Sequence, residues 1–354
     1  MHSTLFHIPA QLFGWPLFGW GLLLMAWAVG GGAAFAWTAR REGVGRATTA
    51  VGLPLLVAGA FIRWGLPALD DGAGVPVRGY GAMLLVAAAA GTWLSIRRGR
   101  AVGIDADTIL ALGTEIFLWG LVGARLFYVI EYHEQFFPPD RDLSASLGQV
   151  LNVAAGGLVV FGSLPTAALA AWLFARRRGL PILTLADVVA PGLLLGLALG
   201  RVGCFLNGCC YGGPSDLPWA VRFPPQSPPW LDQAARGLLP PAVPGRPPAW
   251  SLPVHPAQLY AAIDAALLAW LAITFTPRAR RPGEVFALVL TIHPLARLLL
   301  EAIRVDEPPA LGTPLSISQL VSLVLLLLAA ALWWWIARQP WPPGGTGGRL
   351  ARGL

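Results

Sequence analysis

The run Leu183-Thr-Leu-Ala-Asp187-Val-Val-Ala-Pro191-Gly-Leu-Leu-Leu-Gly-Leu-Ala-Leu-Gly200-Arg201-Val-Gly-Cys204-Phe-Leu-Asn207-Gly-Cys209-Cys210-Tyr-Gly-Gly213 decides how the whole chain is read. Residues 183–206 are apolar over a length that spans a bilayer, which reads as a transmembrane helix rather than a soluble core element. Arg201 then sits near the end of that span, and an ionisable residue inside a membrane segment marks a functional site unless it snorkels to the interface. All three cysteines (Cys204, Cys209 and Cys210) crowd into the turn that follows. The glycines around them thin out the side chains, as happens where backbone approaches a ligand closely.

Working outward, the 354 residues are 56% hydrophobic and 12% charged, too apolar for a soluble protein of this size. The class is therefore all-α and polytopic, because a chain in lipid must satisfy its backbone internally. About nine spans are expected, near 14–37, 48–69, 79–96, 107–130, 156–175, 183–206, 256–276, 284–303 and 315–337. The +7 formal charge does not indicate nucleic acid, since arginines cluster in short loops: 40/41/46, 97/98/100, 176–178, 278/280/281 and the tail. Those clusters mark the cytoplasmic side and place the amino terminus outside and the carboxyl terminus inside. Asp70/Asp71, Asp140/Asp142, Asp306/Glu307 and one long irregular Pro-rich loop, 211–254, fall on the outer side. Residues 1–76 read as a two-span extension, 77–338 as the main membrane domain and 339–354 as a cytoplasmic tail.

Four polar constellations fall at one depth, in the outer half of the membrane. Arg201 is the first; its planar fork suits a phosphate, and the abundant phosphates of a membrane are lipid headgroups. Arg297 and Glu301, spaced i, i+4, share a helix face with His293 one turn back and Arg304 one turn on. His255-Pro-Ala-Gln258-Leu-Tyr260 opens a span, with Pro256 suited to the first helical turn. Gly123-Ala-Arg125-Leu-Phe-Tyr128 lies late in an outward-running span. Arg125, Arg201, Arg297 and Arg304 together predict a cationic pocket for an anionic headgroup. Asp187 and Glu115 are intramembrane acids nearer the inner side, either protonated or paired with arginine.

Seven motifs in order resemble the prolipoprotein diacylglyceryl transferase family of bacterial inner membranes, from about Val77 to Trp335. They are Arg78-x-Tyr80-Gly81, Gly123-Ala-Arg125…Tyr128, Asp187-Val-Val-Ala-Pro191, Gly200-Arg201-x-Gly203-x-Phe205-x-Asn207-Gly208-x-x-x-Gly212, His255-Pro-x-Gln258-Leu-Tyr260, Arg297-x-x-x-Glu301-x-x-Arg304 and Ser318-Gln319. The resemblance implies a multi-pass inner-membrane enzyme that moves the diacylglyceryl group of phosphatidylglycerol onto the lipobox cysteine of a secreted prolipoprotein. Its partners would be that lipid, the prolipoprotein signal peptide and the bilayer, with no cofactor and no nucleic acid. It implies catalytic roles for Arg201, Arg297 and Glu301. Tyr80, Arg125, Asn207, Gly212, His255, Gln258, Tyr260 and Arg304 would then line the substrate site.

The chain departs from the family pattern in places. Phe161-Gly162-Ser163-Leu164 replaces a His-Gly-Gly-Leu, and Phe161 cannot act as a base. Cys204 and Cys209 stand where the family has asparagine and glutamate, and His293 stands where it has tyrosine. His293, one turn from Arg297, is the residue able to supply the missing proton transfer. The cysteines have too few partner ligands for zinc without importing His255 or His293, so no metal is expected. A disulfide, inert buried thiols and a covalent role all stay open for them. Two rival functions remain: a non-catalytic lipid- or lipoprotein-binding paralogue, and a membrane thiol oxidoreductase built on Cys204, Cys209 and Cys210.

Overall fold

The computed structural model describes residues 4–138, 142–152, 156–240, 248–304, 310 and 312–339, in two compact units, Met1–Met83 and Leu84–Leu354. The sequence expectations for Asp140, Asp306/Glu307 and most of the tail lie outside the described residues.

The amino-terminal unit opens with three short strands, of which only the third falls within the span expected at 14–37. β1 (Thr4–Ile8) is followed by a tight hairpin of β2 (Gln11–Leu12) and β3 (Trp15–Pro16). The hairpin's turn residues Phe13 and Gly14 both have positive φ, 54° and 82°, the geometry that matches strand twist in a two-residue loop. Pro16 and the glycines at 19 and 21 hold off the helix, so α1 runs Leu22–Glu42 rather than from residue 14. A further helical stretch, 44–68, carries π turns at Thr48–Gly52 and Phe61–Gly65. Each precedes or encloses the carbonyl that a proline ring (Pro54, Pro67) would strike four residues on, and the widened turn relieves that clash. β4 (Val75–Arg78) returns to pair antiparallel with β1.

The second unit is a bundle. α2 (Gly79–Ala101), α3 (Ala106–Glu131), α4 (Val160–Arg178), α5 (Ile182–Asn207), α6 (Ala257–Phe275), α7 (Glu284–Glu301) and α8 (Ile317–Arg338) form it. α3 packs on α4, α5 on α6, and α7 on α8. Two crossings depend on missing side chains. A Cβ on Gly123 of α3 would stand 2.4 Å from the Gly162 carbonyl oxygen of α4. One on Gly91 of α2 would stand 2.7 Å from the Gly192 carbonyl of α5. Lipid offers little hydrophobic drive between helices, so close backbone approach through small residues supplies the van der Waals contact.

Among the described residues six helices are long and apolar enough to cross a membrane: α1, α2, α3, α5, α6 and α8. The expected nine are not all met. α4 ends in Arg176-Arg177-Arg178, α7 carries Glu284, Arg297 and Glu301, and 44–68 is interrupted by its π turns. The described parts of the long loop, 211–240 and 248–254, are folded rather than loose. Val221 and Pro214 bridge to Val254, and Tyr211, Phe223 and Val254 form a small core. A short helix, Pro228–Ala235, follows the bridge at Val221.

The bundle's inner polar knot was hidden in what reads as a loop cluster. Arg98 is fully buried and donates to the Val188 and Asp187 carbonyls and to Thr276 Oγ1 at 3.2, 3.1 and 3.0 Å. The Asp187 carboxylate, 2% exposed, is the opposite charge facing it. It accepts from the Gly283 and Phe286 N–H groups at 2.6 and 2.8 Å, capping α7 from another helix. Glu115, the other inner acid, pairs with Arg177. Removing one member of a buried pair strands the other charge, at a cost of about 3–5 kcal/mol. Asp187→Ala is therefore expected to lower the thermal unfolding midpoint in detergent by that equivalent, while exposed Arg97→Ala changes stability by no more than about 0.5 kcal/mol. Equal midpoints for the two variants would refute the knot's structural role.

Candidate functional site

The site is assembled where α5 ends, α6 begins and α7 runs into α8. Gly208, in the left-handed region at φ 78°, closes α5, and the chain turns through Cys209 and Cys210 into an extended pair of glycines. Gly212 N–H donates to the His255 carbonyl, Gly213 N–H to the Ile303 carbonyl, and His255 N–H back to Gly213, at 2.9, 2.9 and 3.0 Å. Gly212 thereby bridges to Arg304 as a strand would. A Cβ at 212 would stand 2.7 Å from His255 Cβ and 3.0 Å from the Ile303 carbonyl oxygen, which is why this position is glycine. Three motifs far apart in sequence are stitched together by backbone.

Glu301 is the electrostatic hub. Its side chain is 3% exposed and lies 3.1 Å from Arg297 Nη2 and 3.5 Å from Arg304 Nη1. Ser316, the N-cap of α8, donates to its other oxygen at 3.2 Å, and Arg297 also donates to Ser318 at 3.0 Å. Two guanidinia thus share this one carboxylate among the described residues. Gln258 is fully buried and donates to the Cys209 carbonyl at 2.7 Å, while its Oε1 has no hydrogen-bond partner among the described residues. Tyr260 accepts from Trp219 Nε1 at 2.7 Å and faces His255 Nδ1 at 3.5 Å. Asn207 is exposed at the last residue of α5.

Arg201 and Arg304 converge on Cys210. Hydrogen bonding with Cys204 and Cys209 pulls the Cys210 thiol below its ordinary range, the fields of Arg201 and Arg304 add to that, and burial opposes it. Arg201, half-buried, makes no hydrogen bond among the described residues. Arg125 differs from it. Its Nε and both Nη atoms donate to the carbonyls of Gln149, Val150, Asn152, Gly156 and Gly157, at 2.7–3.2 Å. That uses the five donors a guanidinium has. Arg125 therefore clamps the loop before α4 instead of joining the expected four-arginine pocket. Tyr80 opens α2 in the amino-terminal unit, half-exposed.

The sequence reading passed over Asp264. It lies on α6 with its carboxylate 3.8 Å from His293 Nδ1, a buried nitrogen with no hydrogen-bond partner among the described residues. The signal was available, since Asp264 is an acid inside an apolar span, one turn after Tyr260. The cysteines are in no disulfide, and their three sulfurs lie within 4.8 Å of one another.

Residues 69–335 match the family described as prolipoprotein diacylglyceryl transferase. The chain is similar to the phosphatidylglycerol–prolipoprotein diacylglyceryl transferase of Rhodopirellula baltica, 39% identical over 250 residues, 68% of this chain and 50% of the relative. The enzyme of that name in Clostridium tetani is 29% identical over 257 residues, 73% of this chain and 92% of the relative. That of Thermosynechococcus vestitus is 33% identical over 255 residues, 71% and 85%. The chain thus spans half the length of the first relative and most of the other two.

Two glycines of one motif are expected to behave oppositely. A methyl added at Gly200 would meet open space, so Gly200→Ala in the helix should be neutral or stabilising by up to about 1 kcal/mol. Gly212→Ala must push two backbones apart and should destabilise by about 1–3 kcal/mol. Thermal unfolding of both in one detergent checks this, and similar midpoints would contradict the packing described.

Proposed function

This chain belongs to the prolipoprotein diacylglyceryl transferase family, and from that premise we propose that it transfers the diacylglyceryl group of phosphatidylglycerol to a prolipoprotein cysteine. In that reaction a thioether bond forms between the acceptor sulfur and the glyceryl carbon. The carbon–oxygen bond to the phosphate breaks, glycerol phosphate leaves, and the thiol proton passes to a base.

The observation that carries the reading is the uneven commitment of the arginines. Arg201 makes no hydrogen bond among the described residues and has its donors to offer, which suits a phosphate that gains charge as it leaves. Arg297 and Arg304 are set in place by Glu301, Ser316 and Ser318 and extend the positive field. Asn207, Gly212, His255, Gln258 and Tyr260 line the same junction, with the Gln258 Oε1 an acceptor for a headgroup hydroxyl. His293 takes the acceptor's proton, with Asp264 as the carboxylate that stabilises the imidazolium. Phe161 leaves that role to it.

The finer topology follows the arginine clusters: nine membrane segments in a bacterial inner membrane, the amino terminus outside, the carboxyl terminus cytoplasmic, and the 211–254 loop over the outer side. Residues 1–76 form an extension and 77–338 the catalytic domain. The acceptor is the lipobox cysteine of a prolipoprotein signal peptide.

Purified protein given phosphatidylglycerol and a lipobox peptide is expected to add diacylglyceryl mass to the peptide and release glycerol phosphate. Arg201→Ala should lower kcat/KM by about 10²–10³-fold. His293→Ala should lower kcat by about 10²-fold or more, and Asp264→Asn by less, with a shift in the pH profile. Full turnover by Arg201→Ala would remove the phosphate assignment. Lipid binding by the wild type without turnover would favour the non-catalytic reading that Phe161 suggests.

A further inference from the structure

The three cysteines are the chemistry-bearing group that the transfer reaction does not use. Their sulfurs lie within 4.8 Å of one another, each residue half-buried. Backbone builds the arrangement. Cys204 sits in the last turn of α5, and its carbonyl accepts from both the N–H and the thiol of Cys209, at 3.2 and 3.8 Å. Gln258 holds the Cys209 carbonyl from α6. Cys210 takes φ 58°, a left-handed conformation that costs a non-glycine residue about 1 kcal/mol or more and persists only where the surroundings fix it.

We propose that Cys204, Cys209 and Cys210 form a three-sulfur site for a soft monovalent metal ion, Cu(I). Three thiolates at about 2.3 Å from a common metal stand about 4.0 Å apart, so the trio closes on an ion by moving less than about 1 Å. The donor set is all sulfur, which selects soft cations. No histidine or carboxylate joins the group among the described residues, and a structural zinc site would need a fourth ligand. A Cu(I) trithiolate has no such need. Want of a fourth partner, the reason for setting a metal aside in the sequence, thus argues for a lower-coordinate ion. On binding, three Cu–S bonds form, the remaining thiol protons leave to solvent, and the copper stays Cu(I). The complex carries a net charge of −2. Arg201 and Arg304, whose positive fields reach Cys210, offset that charge without themselves ligating.

The test uses full-length protein in detergent, reduced, desalted without oxygen and titrated with Cu(I) against a chromophoric Cu(I) chelator, with no lipid present. One Cu(I) per chain is expected, with a near-ultraviolet thiolate-to-copper band and three sulfur neighbours by X-ray absorption. Cys204→Ser, Cys209→Ser and Cys210→Ser should each weaken binding by at least about 100-fold while keeping the wild-type gel-filtration profile. In the wild type itself, Cu(I) should protect all three thiols from iodoacetamide. Equal copper uptake by the triple serine variant would overturn the proposal. So would fewer than three reactive thiols in protein prepared without reductant, which would mean a disulfide, or a preference for Zn(II) over Cu(I). Because no lipid or peptide enters the measurement, failure here leaves the transferase reading intact.

Discussion

Much of this architecture depends on the compensation of the buried Glu301 carboxylate. A carboxylate 3% exposed is costly unless opposite charge and hydrogen bonds reach it. Arg297 reaches it from its own helix, Arg304 from the turn beyond and Ser316 from the cap of α8. That requirement fixes how α7 leaves the bundle and how α8 enters it. It also sets the backbone at Ile303 and Arg304, against which the Gly212–Gly213 segment pairs. The arginine motif and the glycine motif are consequently not two sites that happen to meet. One charge constraint places the backbone edge to which the other attaches.

The other end of α5 solves a similar problem with a different result. Arg98 and Asp187 are as buried as Glu301. Both Asp187 carboxylate oxygens and the Nε and Nη2 of Arg98 are used by carbonyls, N–H groups and Thr276, while Arg98 Nη1 has no hydrogen-bond partner among the described residues. The knot ties α2, α5, α6 and α7 and leaves no net charge. At the junction around Glu301, by contrast, Arg201 makes no hydrogen bond among the described residues. The same residue types thus make a rivet at one end of α5 and a binding surface at the other. The difference lies in how much of each guanidinium's hydrogen-bonding capacity the protein itself takes up.

The sequence made the helical class, the glycine-rich turn after α5 and the Arg297–Glu301 pair legible, because each is a local pattern: apolar length, missing side chains, i, i+4 spacing. It failed where the partner is distant. Arg98 sits in a run with Arg97 and Arg100 that reads as a cytoplasmic cluster, and only the third dimension shows Val188 and Thr276 waiting for it. Arg125 looked like a headgroup ligand because its residue type and depth matched Arg201, but its acceptors are carbonyls at 149–157 that no motif records. The first span was drawn too early because apolar Trp15 and Leu17 outweighed the turn signals of Gly14, Pro16 and Gly19.

The contrast between Arg125 and Arg201 bears on what leaves a guanidinium able to take a ligand. A guanidinium that is fully hydrogen-bonded has no directed donor left for a ligand and acts only as a fixed charge. One without protein partners offers its paired donors, but needs neighbours to keep it oriented. Arg201 gains that orientation from its place near the end of α5, whose cap is held through Cys209 by Gln258 of α6. Gln258 is fully buried, so the anchor cannot drift without unmaking the start of α6. Rigidity is thus supplied by the backbone around Arg201 rather than by hydrogen bonds to its head. That is the arrangement a site needs if its strongest interaction is to be reserved for the ligand.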